Sequence, residues 1–174
     1  MTRSVYRRTA RSASGIFVCA LLCGCMPMEV RSTYGPGVNY ERFGSTFAWS
    51  TPSDRASAEK RARNPSFDQY LQATITRAFQ ERGYTLHPEP GPDFLIDYAV
   101  ARRITGGLGS SQLSPVYEEG SLIIDVLDGR TGKYVWRGWA TARINEAADP
   151  TTQKRNTAEA VRRILARFPA QGTQ

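Results

Sequence analysis

Cysteine is scarce in this 174-residue chain and absent after residue 25: Cys19, Cys23 and Cys25 are all there is. The body therefore has no disulfide framework, no thiolate metal site and no cysteine nucleophile. Histidine occurs once, as His87 in the Pro-rich stretch 87–93 (HPEPGPD). With no second histidine or cysteine to complete a ligand set, it reads as a loop residue. A Ser-His-Asp set or a metal-assisted hydrolysis has nothing to stand on. No catalytic residue, metal or cofactor is expected, and the chain reads as a non-enzyme. Long apolar runs are missing too. The first, residues 13–22 (ASGIFVCALL), is half of the about 20 residues that span a bilayer.

Acid is missing from the first 24 residues, which hold Arg3, Arg7, Arg8 and Arg11. The whole chain carries 23 Lys+Arg against 16 Asp+Glu, a net +7 that suggests a nucleic-acid or membrane-surface partner. Without those 24 residues the balance is 19 against 16, or +3. A nucleic-acid partner loses its support. A basic start, a short apolar run and then small residues make a signal peptide over 1–24. The Arg7-Arg8 pair is a weak twin-arginine sign, because Thr9, Ala10 and Arg11 follow it. Leu22-Cys23-Gly24-Cys25 resembles the bacterial lipobox. That resemblance implies cleavage before Cys25, with Leu22, Cys23 and Gly24 read by the peptidase, and a lipid on the Cys25 thiol. Two or more acyl chains anchor stably where one does not. Met26, in the place where aspartate marks inner-membrane retention in the resembled class, points to the periplasmic side of an outer membrane.

Residues 26–37 (MPMEVRSTYGPG) lack periodicity, so 25–40 reads as a lipidated tether and 41–170 as one domain, which is long enough for its own core. Phe43, Ser45, Phe47 and Trp49 alternate as a strand over 43–49. Residues 50–64 read as an exposed loop. Ser66 with Gln69 makes a capping box for a helix, whose stripe is Phe67, Tyr70, Leu71, Thr74, Ile75, Ala78 and Phe79 and whose end is Gly83. Phe94, Ile96, Tyr98 and Val100 form the apolar face of a strand over 94–104. The Gly/Ser-rich stretch 105–116 lacks the Lys-Ser/Thr of a P-loop and reads as a connector. Residues 117–144 form a hairpin around 128–133 (DGRTGK). On its second arm Tyr134, Trp136, Gly138, Ala140 and Ala142 point to the core, their small residues leaving room for a helix. Arg137, Trp139 and Arg143 point away, with Asp125 across from them. A last helix over 152–167 carries Thr157, Val161, Ile164, Leu165 and Phe168 on one side, crowds Arg162, Arg163 and Arg167 at its end, and stops at Pro169.

The hairpin residues Tyr117, Gly120-Ser121-Leu122-Ile123-Ile124-Asp125-Val126-Leu127-Asp128, Thr131-Gly132-Lys133 and Val135-Trp136-Arg137-Gly138-Trp139-Ala140 resemble the bacterial lipoprotein family of domain of unknown function 4136. Other stretches agree in the same order: Phe43 with Thr46-Phe47-Ala48-Trp49, then Arg82-Gly83-Tyr84, then Asp93-Phe94-Leu95-Ile96 with Tyr98. Ala160-Val161, Ile164-Leu165 and Phe168-Pro169 close the match, which covers about residues 30–170. Ala170 departs from the family, which often has a second proline there. The resemblance implies an envelope lipoprotein with an α+β fold and no established catalytic residues to carry over.

The order strand, helix, strand, hairpin, helix predicts an antiparallel sheet of about four strands with two helices packed on one face. The expected function is a lipid-anchored envelope module. It binds an envelope protein, glycan or lipid through Asp125, Arg137, Trp139 and Arg143 on the uncovered face, with the 105–116 loop as a second surface. The alternative is an envelope hydrolase working through Asp97 and Asp125. Glu118 and Glu119, being adjacent on a strand, point to opposite faces.

Overall fold

The computed structural model describes residues 28–37, 44–51, 65–87, 91–105, 117–145 and 147–170. Among them, six strands and two helices follow in order: β1 (Glu29–Tyr34), β2 (Thr46–Trp49), α1 (Pro65–Gln80), β3 (Thr85–Leu86), β4 (Phe94–Thr105), β5 (Tyr117–Asp128), β6 (Tyr134–Arg143) and α2 (Pro150–Leu165). Leu22, Cys23, Gly24 and Cys25, the strand residue Phe43, most of the 50–64 loop and the 106–116 part of the connector lie outside the described residues.

The α+β class and the two helices are as expected, but the sheet is larger and mixed, in the order β1-β6-β5-β4-β2-β3. Two corrections follow. Residues 29–34, read as tether, are an edge strand with Glu29 opposite Thr141 and Tyr34 opposite Trp136. Such an edge gains hydrogen bonds on one side only, so it forms from a polar stretch whose own alternation is weak. The second correction concerns direction. β2 pairs parallel with β4, Phe47 opposite Phe94, and parallel with β3, Thr46 opposite Thr85. A helix between two strands is the crossover that parallel neighbours need, and α1 supplies it. Only β1, β6, β5 and β4 are antiparallel to one another.

α1 begins at Pro65, where a missing N–H costs nothing, so Ser66 falls inside the helix rather than at its cap. Asp68 in the first turn accepts from the Tyr98 hydroxyl, tying the helix start to β4. Leu71, Ile75 and Phe79 are its buried stripe. Its exit matches expectation: Gly83 has φ 89°, and the Tyr84 N–H returns to the Phe79 carbonyl at 3.1 Å. α2 begins two residues earlier than expected, because Asp149 caps it. The Asp149 carboxylate accepts the Thr151 and Thr152 N–H groups at 2.9 and 3.0 Å, and Pro150 takes the first helical position.

Both helices lie on the inner face of the sheet. Their apolar stripes meet Phe47, Phe94, Ile96, Ile124, Val126 and Trp136 there, each no more than 1% exposed. Aromatic rings from four elements and two connections interlock, with Trp136 5.0 Å from Phe168, Phe168 5.5 Å from Phe79 and Phe79 5.3 Å from Phe47. The small residues of β6 do leave room for a helix. A Cβ on Gly138 would meet the Trp136 ring at 2.3 Å and the Ile164 Cγ2 at 2.6 Å. Tyr134 is the exception on that arm. A bulge pairs Leu127 with Tyr134 next to Val126 with Trp136. It buries the extra residue Val135 and turns Tyr134 to the outer face.

Gly138→Val is expected to destabilise the domain by about 1–3 kcal/mol or more through overpacking, read as a lower denaturation midpoint with unchanged denaturant dependence. The Asp149 carboxyl is held below its ordinary value by the Thr152 hydroxyl, then by the Thr152 and Thr151 N–H groups. A depressed carboxyl stabilises above its unfolded pKa, and that contribution disappears as pH falls through the folded one. Asp149→Ala is expected to lower the midpoint at neutral pH and to flatten its acid dependence. Asp149→Asn should flatten the acid dependence while keeping most of the neutral-pH stability, which pH-resolved thermal melts would show.

Candidate functional site: the uncovered face of the sheet

Strand alternation sends the odd-numbered residues of β4 and β5, and those of β6 from Arg137 onward, away from the helices. The register sets Leu95 beside Leu127, Asp97 beside Asp125, Ala99 beside Ile123 and Arg103 beside Glu119. On the other side of β5, Asp125 faces Arg137, Ile123 faces Trp139 and Glu119 faces Arg143. β1 adds Arg31 opposite Trp139 and Thr33 opposite Arg137. Asp125, Arg137, Trp139 and Arg143 therefore share one surface as expected, spaced along two neighbouring strands.

The centre of that surface is an ion pair. The Arg137 guanidinium donates through Nε to Asp125 Oδ1 at 2.6 Å and through NH2 to Oδ2 at 2.7 Å. Both carboxylate oxygens are taken by one planar fork. The Asp125 side chain is 19% exposed and that of Arg137 47%. Those hydrogen bonds, with the Asp125 charge behind them, hold the Arg137 guanidinium above its ordinary value against the cost of desolvation. The guanidinium also lies 5.5 Å from the centroid of the Tyr134 ring, and the Tyr134 hydroxyl donates to the Thr33 carbonyl at 3.1 Å. These groups, with Asp97 and Leu127, line a shallow depression of about 320 Å³. Farther along, Ser121 and Thr141 share a hydrogen bond of 3.1 Å.

Tyr134 and Thr33 were absent from the expected surface. Thr33 sits in the stretch read as tether, and Tyr134 in the set read as core-facing. The signal for Tyr134 lay in its turn. Gly132 has φ 65°, and Asp128 Oδ1 accepts the Thr131 N–H at 2.6 Å. A turn that closes on a left-handed glycine goes with a bulged hairpin. Trp139, between Ile123 and Arg31, is half-buried on the same face.

Both oxygens of the Asp125 carboxylate are already taken by the Arg137 fork. Asp97 stands opposite Asp125 in the register, and its Oδ1 accepts the Tyr98 N–H at 2.8 Å. His87 follows β3, and its N–H donates to the Phe47 carbonyl at 2.8 Å. Among the described residues, no group of three or more histidine, cysteine or acidic side chains is placed to hold a metal ion. No described helix is long and apolar enough to cross a membrane.

Fold and face define an α+β domain with two helices on one side of a mixed sheet and a charged, aromatic surface on the other. The chain belongs to the family described as Domain of unknown function (DUF4136), whose model matches residues 30–170. No curated protein matches it in sequence. A PDZ domain protein from Parabacteroides distasonis ATCC 8503 aligns over 82% of this chain at 17% identity and a TM-score of 0.56, and this chain spans 36% of that protein. PelC from Paraburkholderia phytofirmans, solved as a dodecamer, aligns over 83% of this chain and 99% of its own at 14% identity and a TM-score of 0.51. These identities establish likeness of fold alone. A minor lipoprotein from Acinetobacter baumannii aligns at 10% identity and a TM-score of 0.39, over 70% of this chain and 87% of its own, a level that carries no argument.

A double-mutant cycle on Asp125→Ala and Arg137→Ala is expected to return a coupling of about 0.5–1 kcal/mol, the upper end for a partly exposed pair. Chemical denaturation in low salt measures it, and a coupling unchanged at about 1 M salt would contradict an ion pair open to solvent.

Proposed function

We propose that this chain is a cell-envelope lipoprotein, anchored through Cys25 and non-enzymatic, which binds a partner with the uncovered face of its sheet. The observation that carries the reading is that, among the described residues, the sheet is covered on one side only. Both helices lie against the inner face, and the opposite face presents Asp125, Arg137, Trp139 and Arg143 among half-buried apolar side chains. Tryptophan, tyrosine and arginine ringed by apolar contacts are the composition of an interface centre. The leader supports the location: a basic start, a short apolar run over 13–22 and Leu22-Cys23-Gly24-Cys25. Met26 favours the periplasmic side of an outer membrane. The partner is an envelope protein, glycan or lipid, since the modest charge after residue 24 gives nucleic acid little hold.

A second reading, an envelope hydrolase, draws on Asp97 and Asp125 standing opposite each other. Against it, the Arg137 fork engages both oxygens of the Asp125 carboxylate. Asp97→Asn with Asp125→Asn separates the two readings. Loss of an envelope-degrading activity in that variant, with adducts on the face retained, would favour the hydrolase.

A photo-crosslinking residue in place of Trp139 or Arg143, irradiated in intact envelopes, is expected to yield a discrete adduct that Arg137→Glu abolishes. An adduct with a second copy would make the face a self-association surface. Absence of any adduct from both positions would sink the binding reading. For the anchor, Cys25→Ala is expected to remove labelled palmitate and to shift the chain from the membrane to the soluble fraction. Label retained in that variant would overturn the lipobox assignment.

A further inference from the structure

The inner face of the sheet is longer than the helices that cover it. β4, β5 and β6 continue past Leu122 and Ala140 to Arg102, Gly120 and Ala142. At that end the strands and the first halves of α1 and α2 enclose a groove of about 450 Å³, within the range of sites that take small molecules. Leu71, Leu122 and Ala140 give it a buried apolar floor, and Arg102, Gln153 and Asn156 an exposed polar rim. Apolar surface continues outward along the same face of β4, where Val100 is 46% and Ile104 70% exposed. Exposed apolar surface running from a groove to the end of a sheet suits an apolar ligand longer than the groove itself.

The path of the chain points to that ligand. Met28 itself lines the groove. β1 runs antiparallel to β6 with Glu29 opposite Thr141, so the chain reaches the sheet at the open end of the groove. Cys25 stands three residues before Met28, a span of at most about 11 Å. An acyl chain on Cys25 therefore has the groove within reach, whereas the uncovered face lies on the other side of the sheet.

We propose that the groove receives one acyl chain of the lipid carried by Cys25. This inference rests on the anchor reading above. A bilayer and an apolar groove are similar environments for a hydrocarbon chain, while water is far worse. The groove thus holds a chain whenever that chain is outside the membrane, and one chain can sit in it while the others keep the protein anchored. Asn145 and Asn156 bring amide donors to the rim, suited to the ester or amide carbonyl at the head of such a chain. The domain would then sit with the Ile104 end of its sheet toward the bilayer.

The full chain, expressed in cells fed a diazirine-bearing palmitate, provides the test. After irradiation and digestion, label is expected on peptides from β5 and β6 that hold Leu122 and Ala142. Ala142→Trp fills the groove, and Val100→Asp places a charge at its mouth without touching the core. Each is expected to lower the crosslink yield by about tenfold, the change that about 1.4 kcal/mol of lost groove affinity produces, with the intact mass showing unchanged acylation. Acylated protein with no groove crosslink, or with the same yield in both variants, overturns the inference and leaves the anchor standing. A mass spectrum without acyl groups removes both.

Discussion

The structure depends on the distance at which α2 approaches β6. Gly138 has no side chain, the Trp136 ring lies over it, and Ile164 presses in beside them. A single Cβ at that position would overlap both neighbours. Because the helix sits that close, Phe168 reaches the Trp136 ring and passes the contact on to Phe79 and Phe94. Packed interiors transmit such constraints because they contain few voids. The tail after α2 is held there too, with the Tyr84 hydroxyl donating to the Pro169 carbonyl at 3.0 Å.

This packing also explains the division of the sheet into two surfaces. Both helices are committed to one face, and α1 and α2 touch each other across it. The other face then has to satisfy itself, and it does so with cross-strand pairs: Asp125 with Arg137, Ser121 with Thr141, Ile123 beside Trp139. Such a face is stable in water and still rich in arginine and aromatic surface. The groove at the open end has a related cause. β4 and β5 extend for 12 residues each, farther than α1 and α2 cover, and among the described residues no helix lies over the excess inner face.

The corrections show where sequence reasoning falls short. β1 carries a single apolar residue toward the core, Val30, and its stability comes from hydrogen bonds to β6 that local sequence does not display. β3 is two residues long, below any periodic signal. The parallel pairing of β2 with β4 was implicit in the strand–helix–strand order but lost to the hairpin that follows it. Strict alternation places Tyr134 in the core, and the bulge at Val126/Leu127 breaks that alternation. By contrast, the buried stripe of α1, the left-handed exit at Gly83 and the helix-accepting side of β6 were legible. Each rests on a short-range rule with a strong steric or solvation penalty behind it.

The sequence by itself determined the class of the fold, the two helices and their apolar faces, the hairpin and the row of Asp125, Arg137, Trp139 and Arg143 on one surface. Those follow from periodicities of 2 and 3.6 residues and from glycine stereochemistry, which act between near neighbours. Tertiary structure alone decided the six-stranded mixed sheet, the recruitment of residues 29–34 as its edge, the fork that closes Arg137 on Asp125 over Tyr134, and the groove beside Met28. Each of these joins residues distant in the chain. Their geometry is set by register and by how closely the helices pack, and neither is written in any local stretch of sequence.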